Sequence, residues 1–311
     1  MTSLYTIINK HKSHRKSIGK QLSKPSPFIQ WVGGKRQLIE KYRPIFPKDF
    51  NDYFEPFAGG ASVFYDMYET HKNTKKYYLS DLNKELIITY EQIKLNPSKV
   101  KKIYNDMYER HSKEFYYEIR NIDRKQLSTK RYEKSFNILD KLSDEEIAAR
   151  FLYLNVTCFN ALYRVNRTGL FNVPIGTSLK KDFSVGNKFD LCSKVLKNIT
   201  ITHQSYSDIE SLVGEKDFVY LDPPYAPLTA TSNFVSYTKE GFDVEDQKDL
   251  RDFCNRLQAK GAYFAVSNSN CQLITDLYSS YNQHVFTVNR TLNSKKDNRK
   301  QSAEEILITN F

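Results

Sequence analysis

Asp217-Phe218-Val219-Tyr220-Leu221-Asp222-Pro223-Pro224-Tyr225 is the stretch on which the fold turns. Phe218 to Leu221 is a continuous β-favouring run, the pattern of a strand covered on both faces in a parallel sheet. Pro223 and Pro224 lack an N–H, so they cannot extend a ladder, and each holds the residue before it in extended backbone. Asp222 and Tyr225 are therefore expected on a stiff loop at the carboxyl end of the strand, the edge where open α/β sheets bind ligands. On these residues alone an ordinary Asp-Pro turn with a surface tyrosine stays open as the competing reading.

Working back along the chain, Tyr53-Phe54-Glu55-Pro56-Phe57-Ala58-Gly59-Gly60-Ala61-Ser62 reads as a strand, a glycine turn and a helix on which Val63, Phe64 and Met67 recur at helical spacing. Gly59 and Gly60 permit a tight turn and close backbone approach, and a helix start presents unbonded N–H groups. A second strand, Lys76 to Ser80, ends in Asp81-Leu82-Asn83. An acid at the tip of the next strand, about twenty residues on, is placed to accept both hydroxyls of a ribose. The pair points to an adenosine-bearing cofactor. Further upstream, Phe28-Ile29-Gln30-Trp31-Val32-Gly33-Gly34-Lys35 runs from an apolar segment into two glycines. There Lys35 could meet a carboxylate or phosphate, and Trp31, the single tryptophan, could pack on an aromatic ring. A plain loop before a helix fits that segment equally well.

From Asn96 the pattern becomes helical and charged. Pro97-Ser98 opens a helix with Val100, Ile103, Tyr104 and Met107 on one face, and Ser143 with Glu146 predicts a capping box ahead of Ile147 to Leu154. These helices interrupt the alternation of strand and helix, which places an inserted domain at 95–189 between two parts of an α/β domain, 25–94 and 190–311. The end of the insert, Phe159 to Pro174, alternates around Arg167-Thr168-Gly169 as a β-hairpin would. Asn160 and Arg164 carry groups that read purine edges, and Phe159 is a wedge of the kind that enters a base stack, although a polar hairpin with no partner is the plainer reading. After the insert, strands are expected at 199–202, 204–206, 262–266, 285–288 and 306–308, with a helix at 245–260. A basic linker lies at 290–300. Residues 1–24, with six Lys or Arg and no clear period, read as a flexible basic arm.

Composition bounds the partners. Forty-seven Lys and Arg against 36 Asp and Glu give a formal charge of +11, which favours a polyanion, and 22 Tyr with 20 Phe supply faces for stacking bases. No apolar run approaches the ~20 residues of a membrane span and no signal peptide is evident, so a soluble, cytoplasmic protein is expected. Cys158, Cys192, Cys254 and Cys271 are scattered without C-x-x-C or paired histidines, so neither disulfides nor a metal site is expected.

The W-x-G-G-K, E-P-F-x-G-G, D-L-N and D-P-P-Y stretches, in this order with an insert between the third and fourth, resemble the Dam-type adenine-specific DNA methyltransferases of the D12 class. The resemblance spans about residues 25–311. It implies a Rossmann-like sheet that binds S-adenosylmethionine, and a mainly helical target-recognition domain carrying a β-hairpin and inserted at 95–189. Phe57, Gly59 and Asp81 would hold the cofactor, with Trp31, Lys35, Ser205 and Asp222 beside it. Asp222, Pro223, Pro224 and Tyr225 would form the catalytic loop around a flipped adenine. Gln30, Phe159, Asn160, Leu162, Arg164 and Asn172 would face double-stranded DNA at GATC or a related four-base site. A cognate restriction endonuclease acting on that site is a partner the resemblance allows.

The chemistry of the residues agrees with this carry-over. An exocyclic purine amine is a poor nucleophile because its lone pair is delocalised into the ring. Two acceptors on its hydrogens, the Asp222 carboxylate and the Pro223 carbonyl, would localise it, and Tyr225 would stack on a base outside the duplex. Three departures stand out: Ala61 where many members have glycine, Gln30 where a lysine directed at the outer guanine is common, and Thr177-Ser178 beside the hairpin. Methylation of RNA or of protein amides, and a catalytically silent DNA-binding protein, are the competing classes.

Overall fold

The structure is a computed structural model describing residues 4–11, 22–71, 74–123, 142–166, 170–177, 187–227, 242–289 and 302–311. The chain forms two compact units, Lys35–Leu82 with Ile199–Phe311, and Met1–Gly34 with Asn83–Asn198.

The first unit is an α/β sheet of seven strands: β1 (Tyr53–Glu55), β2 (Tyr77–Asp81), β3 (Ile199–His203), β4 (Phe218–Leu221), β5 (Tyr263–Ser269), β6 (Asn282–Asn289) and β7 (Ser302–Thr309). Their order is β3-β2-β1-β4-β5-β7-β6. The first five are parallel, and β7 enters antiparallel between β5 and β6. The order reverses between β1 and β4, which is the switch point at which Rossmann-like sheets open a crevice at the carboxyl edge. Every residue of β4 is buried, as expected of a strand covered on both faces. Val219 and Leu221 pack with Leu250, Phe253 and Leu257, the apolar face of the 244–259 helix. Expected strands 285–288 and 306–308 are present as the cores of the longer β6 and β7. A strand at 204–206 is not: Ser205 caps a 3-10 helix, Tyr206–Ser211, by a reciprocal box with Asp208, and a capping serine outweighs the β preference of Tyr206.

The second unit is helical, with α1 (Leu4–Lys10) and, from Asn83 on, α4 (Lys84–Leu95), α5 (Pro97–Glu109), α6 (Lys113–Arg120), α7 (Asp144–Thr157) and α8 (Lys188–Leu196). The intervening labels α2 (Ile39–Tyr42) and α3 (Ser62–Thr70), with α9 (Val244–Ala259) and α10 (Gln272–Leu277), belong to the sheet unit. The Ser143–Glu146 capping box starts α7, and α5 buries Val100, Ile103, Tyr104 and Met107. Fully buried Arg150 on α7 donates to Glu85 (3.2 Å) and Asp123 (3.0 Å) and to the Ile119 and Arg120 carbonyls, so α4, α6 and α7 share one compensated charge. The expected flexible arm is corrected over its first turns. Leu4, Ile7 and Ile8 form the buried stripe of α1, Lys10 pairs with Glu118 at 2.9 Å, and three apolar residues at helical spacing suffice to dock a helix that charge counting reads as a tail. The parting of the two units at Leu82/Asn83 and Asn198/Ile199 also differs from the expected limits of 95–189, because α4 and α8 pack among the helices. Residues 290–301, and the hairpin tip at 167–169, lie outside the described residues.

Candidate active site

The loop after β4 is fixed from both neighbouring elements. Gln247 on α9 donates to the Pro224 carbonyl at 3.0 Å and accepts from Asn268 at 3.1 Å. Asn268 in turn accepts the Ala226 N–H at 2.9 Å, and the Ser269 hydroxyl donates to the Ala226 carbonyl. Backbone groups that the prolines cannot place in a ladder are thereby satisfied by side chains. Pro223 is buried, Pro224 exposed, and Asp222 and Tyr225 half-buried.

Both Asp222 oxygens are engaged: Lys35 Nζ lies 2.6 Å from Oδ2 and Ser267 Oγ 2.7 Å from Oδ1. Lys35 is only 4 % exposed, so its ammonium is a desolvated counter-charge rather than a surface pair, and it also lies 4.9 Å from the centre of the Tyr225 ring. The Tyr225 hydroxyl donates to Glu305 of β7 at 2.7 Å, and burial, then the Asp222 and Glu305 charges, raise it well above the usual phenol range, so it remains a donor. Behind them Glu55 accepts from the Tyr53 hydroxyl at 2.6 Å. Burial foremost, and then the Asp222 charge, push the Glu55 carboxyl up to about 8 against the lowering effects of Tyr53 and Lys35.

Farther along the same carboxyl edge, the Gly59 N–H donates to Asp81 Oδ2 at 3.0 Å, so the glycine turn after β1 and the acid ending β2 form one structure. Gly59 (φ 43°) and Ala61 (φ 50°) are left-handed there. The rings of Phe57 and Tyr206 stack at 5.4 Å and 24°, with Phe242 edge-on to Phe57 at 6.1 Å. A carboxylate at a strand tip beside half-buried aromatic faces and a left-handed turn fits a nucleoside with a sugar diol, the donor set expected for S-adenosylmethionine. Ser205 stands at the end of β3 as the 3-10 cap.

Gln30 and Trp31 belong to the helical unit. Asn155 of α7, fully buried, clamps Gln30 by accepting its N–H (2.9 Å) and donating to its carbonyl (2.7 Å), while Trp31 stacks on Tyr163 at 6.2 Å and 18°. Four residues past Asn155, Phe159 begins the segment expected to face DNA, with 43 % of its surface exposed. Asn160 and Ala161 follow in left-handed backbone (φ 55° and 53°). Leu162 closes the short 3-10 turn, and exposed Arg164 donates to Asn172 at 3.0 Å. Among the described residues the two arms of the segment pair through two isolated antiparallel bridges, Cys158 with Ile175 and Val165 with Phe171. Gly176 at its base cannot be larger: a Cβ would lie 2.9 Å from the Cys158 carbonyl. Thr177 is exposed, and Ser178 lies outside the described residues.

Sequence reasoning missed Ser267, Glu305, Gln247, Asn268 and Asn155. The first four sit on strands or a helix whose register with the β4 loop is visible only once β4, β5 and β7 are paired; Asn155 sits mid-helix, where an asparagine is normally disfavoured, and that was a usable signal.

A mostly parallel sheet with an acid-Pro-Pro-Tyr loop at its switch point and a glycine turn tied to a strand-tip acid has the layout of α/β proteins of the Rossmann-like class, which bind ligands at that edge. Comparison with known proteins narrows this. The sequence profile of the D12 class N6 adenine-specific DNA methyltransferases matches residues 31–292, and the chain belongs to that family. It is 38% identical to a type II methyltransferase of Lactococcus lactis subsp. cremoris over 288 residues, covering 92% of this chain and 95% of the relative. A type II methyltransferase of Methanocaldococcus jannaschii is 34% identical, covering 92% and 99%. The DNA adenine methylase of Escherichia coli (strain K12) is 30% identical, covering 92% and 96%. The chain is thus an adenine-specific DNA methyltransferase, and membership of the family implies use of S-adenosylmethionine. Among the described residues no helix is long and apolar enough to cross a membrane.

Proposed function

We propose that the protein methylates N6 of an adenine flipped out of a short duplex sequence, GATC or a related four-base site, with Asp222 as the group that engages the amine. What carries this reading is the Asp222 carboxylate, held at the switch point between Lys35 and Ser267 with the Tyr225 ring alongside. When bound, S-adenosylmethionine would supply a methyl group on an already activated sulfonium. Asp222 and the Pro223 carbonyl would accept hydrogen bonds from the two N6 hydrogens, which localises the nitrogen lone pair; as the N–CH3 bond forms and the donor's S–CH3 bond breaks, the amine would pass one proton to the Asp222 carboxylate. Tyr225 offers a face to the extruded base and offsets part of the few kcal/mol of unstacking.

Phe57, Gly59, Asp81 and Tyr206 would line the nucleoside end of the cofactor, with Lys35 and Ser205 beside it. Gln30, Phe159, Asn160, Leu162, Arg164 and Asn172 would face the duplex as part of a target-recognition domain. The type II names of two relatives favour a cognate restriction endonuclease as partner, in the cytoplasm, where the DNA of a prokaryotic cell lies. Transfer of tritiated methyl groups from S-adenosylmethionine to duplexes varied one base pair at a time gives the test. Label on N6 of the adenine in one four-base context is expected; label on RNA or protein alone would reject the reading. Asp81→Ala should weaken cofactor binding by about 1–3 kcal/mol by calorimetry.

A further inference from the structure

β4 and β5 are paired with Leu221 opposite Val266, which brings Asp222 and Ser267 side by side at the end of the ladder. Ser267 is wholly buried, and its hydroxyl has three partners: Asp222 Oδ1 at 2.7 Å, the Tyr220 hydroxyl at 3.0 Å and the Leu221 carbonyl at 3.4 Å. A serine hydroxyl has one proton to give. The short contact to a charged acceptor takes it, because charge-assisted hydrogen bonds are about twice as strong as neutral ones. The Tyr220 hydroxyl then donates to Ser267 Oγ, a role it can always fill, since burial above all holds it protonated. The result is a directed chain, Tyr220 to Ser267 to Asp222.

The two donors on Asp222 are not equivalent. Lys35 reaches Oδ2 through four rotatable bonds, whereas the Ser267 hydroxyl is one rotatable bond from the backbone of an interior strand. We propose that Ser267 is a positioning residue for methyl transfer: it fixes the plane of the Asp222 carboxylate so that the remaining lone pairs face the exocyclic amine. This deepens the role given to Asp222 above and rests on it. A residue of this kind changes the rate of the chemical step and leaves binding of both substrates alone.

Single-turnover methylation of a cognate duplex at saturating S-adenosylmethionine tests this with Ser267→Ala, which removes one buried oxygen and keeps the strand. The expected result is a rate about 10- to 100-fold lower, with the duplex KM and the cofactor affinity within about twofold of wild type. Ser267→Thr, which restores the hydroxyl, should recover most of the rate, and Tyr220→Phe, which removes only the upstream donor, should lose little. A Ser267→Ala rate within about twofold of wild type would overturn the proposal. So would a loss appearing wholly in KM, or a Ser267→Thr enzyme that melts normally yet stays as slow as Ser267→Ala. Asp222→Ala measured alongside separates the two levels: an active Asp222→Ala enzyme removes the proposed function itself, whereas an inactive one beside a fully active Ser267→Ala removes only the role of Ser267.

Discussion

The loop after β4 and the segment from Cys158 to Ile175 are both expected to meet DNA, and they are built in opposite ways. In the sheet unit, Asp222, Tyr225, Pro224 and Ala226 each have a named hydrogen-bond partner on a neighbouring strand or helix. In the helical unit the segment is closed at its base, where Phe159 donates to the Pro174 carbonyl and Gly176 to the Thr157 carbonyl. Beyond that closure Phe159, Asn160 and Arg164 are exposed, and two consecutive non-glycine residues sit in left-handed backbone. Groups that act on a reacting atom are held to a narrow geometry before substrate arrives, because misplacement costs rate. Groups that read a sequence stay exposed and are ordered by the partner, so their cost is met at binding.

Removing the acid should break the first half of this contrast most severely. Asp222→Ala is expected to lower methyl transfer about 100-fold or more with cofactor binding largely intact, since the group lost is the one proposed to engage the target amine and sits on a loop. Lys35 would then be left nearly buried without its counter-charge, so some loss of thermal stability should accompany it. A variant keeping more than about a tenth of the wild-type rate would remove Asp222 from the mechanism.

Next in size is a pH effect seated under the same loop. Glu55 is 3 % exposed and its carboxyl is held near 8 rather than in the usual range near 4.5, with burial the main cause. A carboxyl raised in the native state binds its proton there while the unfolded chain releases it. The native state therefore binds more protons between about pH 4.5 and 8, and stability falls as pH rises through that window. Glu55→Gln keeps an acceptor for the Tyr53 hydroxyl and cannot ionise. Its unfolding free energy should vary less with pH, and it should overtake the wild type near pH 8. Denaturant melts at pH 5, 6.5 and 8 that give both proteins the same slope would show Glu55 ionised throughout.

Much of this was legible from residues, and the illegible part follows a pattern. The apolar run into Asp222, the glycine turn and the acid at Asp81 are local in sequence, and the structure joins Gly59 to Asp81 as their spacing predicts. The capping box of Ser143 and Glu146 is likewise a three-residue signal. Ser267, Glu305 and Gln247 are 45, 80 and 23 residues from their partners in or beside the loop, and nothing in a single strand announces which face its serine will present. Helix α1 was hidden for a different reason: the six Lys and Arg of residues 1–24 dominate the composition, while three aliphatic residues form the buried stripe.

The exposed segment should respond more weakly and more selectively than the loop after β4. If Arg164 reaches a guanine edge with both guanidinium nitrogens, Arg164→Ala should cost about 1–3 kcal/mol on the cognate duplex and far less on duplexes altered at that pair. Arg164 donates to Asn172 at 3.0 Å on the exposed surface, so Asn172→Ala should give part of the same effect. Gln30, held by Asn155 at both backbone groups, supplies the contrasting position: Gln30→Lys should sharpen preference for guanine at the outer pair without moving the adenine step. Equal penalties for Arg164→Ala across all duplexes would assign that arginine to the phosphate backbone.

The smallest expected effect concerns one alanine in each region. Ala61 in the glycine turn and Ala161 in the segment from Cys158 to Ile175 both adopt φ near 50° and are 2 and 3 % exposed. Left-handed backbone costs a non-glycine residue about 1–2 kcal/mol, which glycine would recover. Against this, glycine loses about 0.5–1 kcal/mol more conformational entropy on folding, and each change removes one buried methyl worth about 0.8 kcal/mol. These terms cancel to within about 1 kcal/mol, so Ala61→Gly and Ala161→Gly should each shift the melting temperature by no more than about 4 °C. Function should separate what stability does not. The turn at Ala61 is already tied to Asp81 through Gly59, so Ala61→Gly should leave cofactor affinity unchanged. Ala161 fixes the spacing of Asn160 and Leu162 in a segment whose neighbouring side chains are exposed, so Ala161→Gly should loosen discrimination between cognate and altered duplexes by a few-fold. Matching cofactor titrations and duplex panels on the two variants check this, and an equal loss of discrimination in both would erase the distinction between a preset loop and one ordered by its partner.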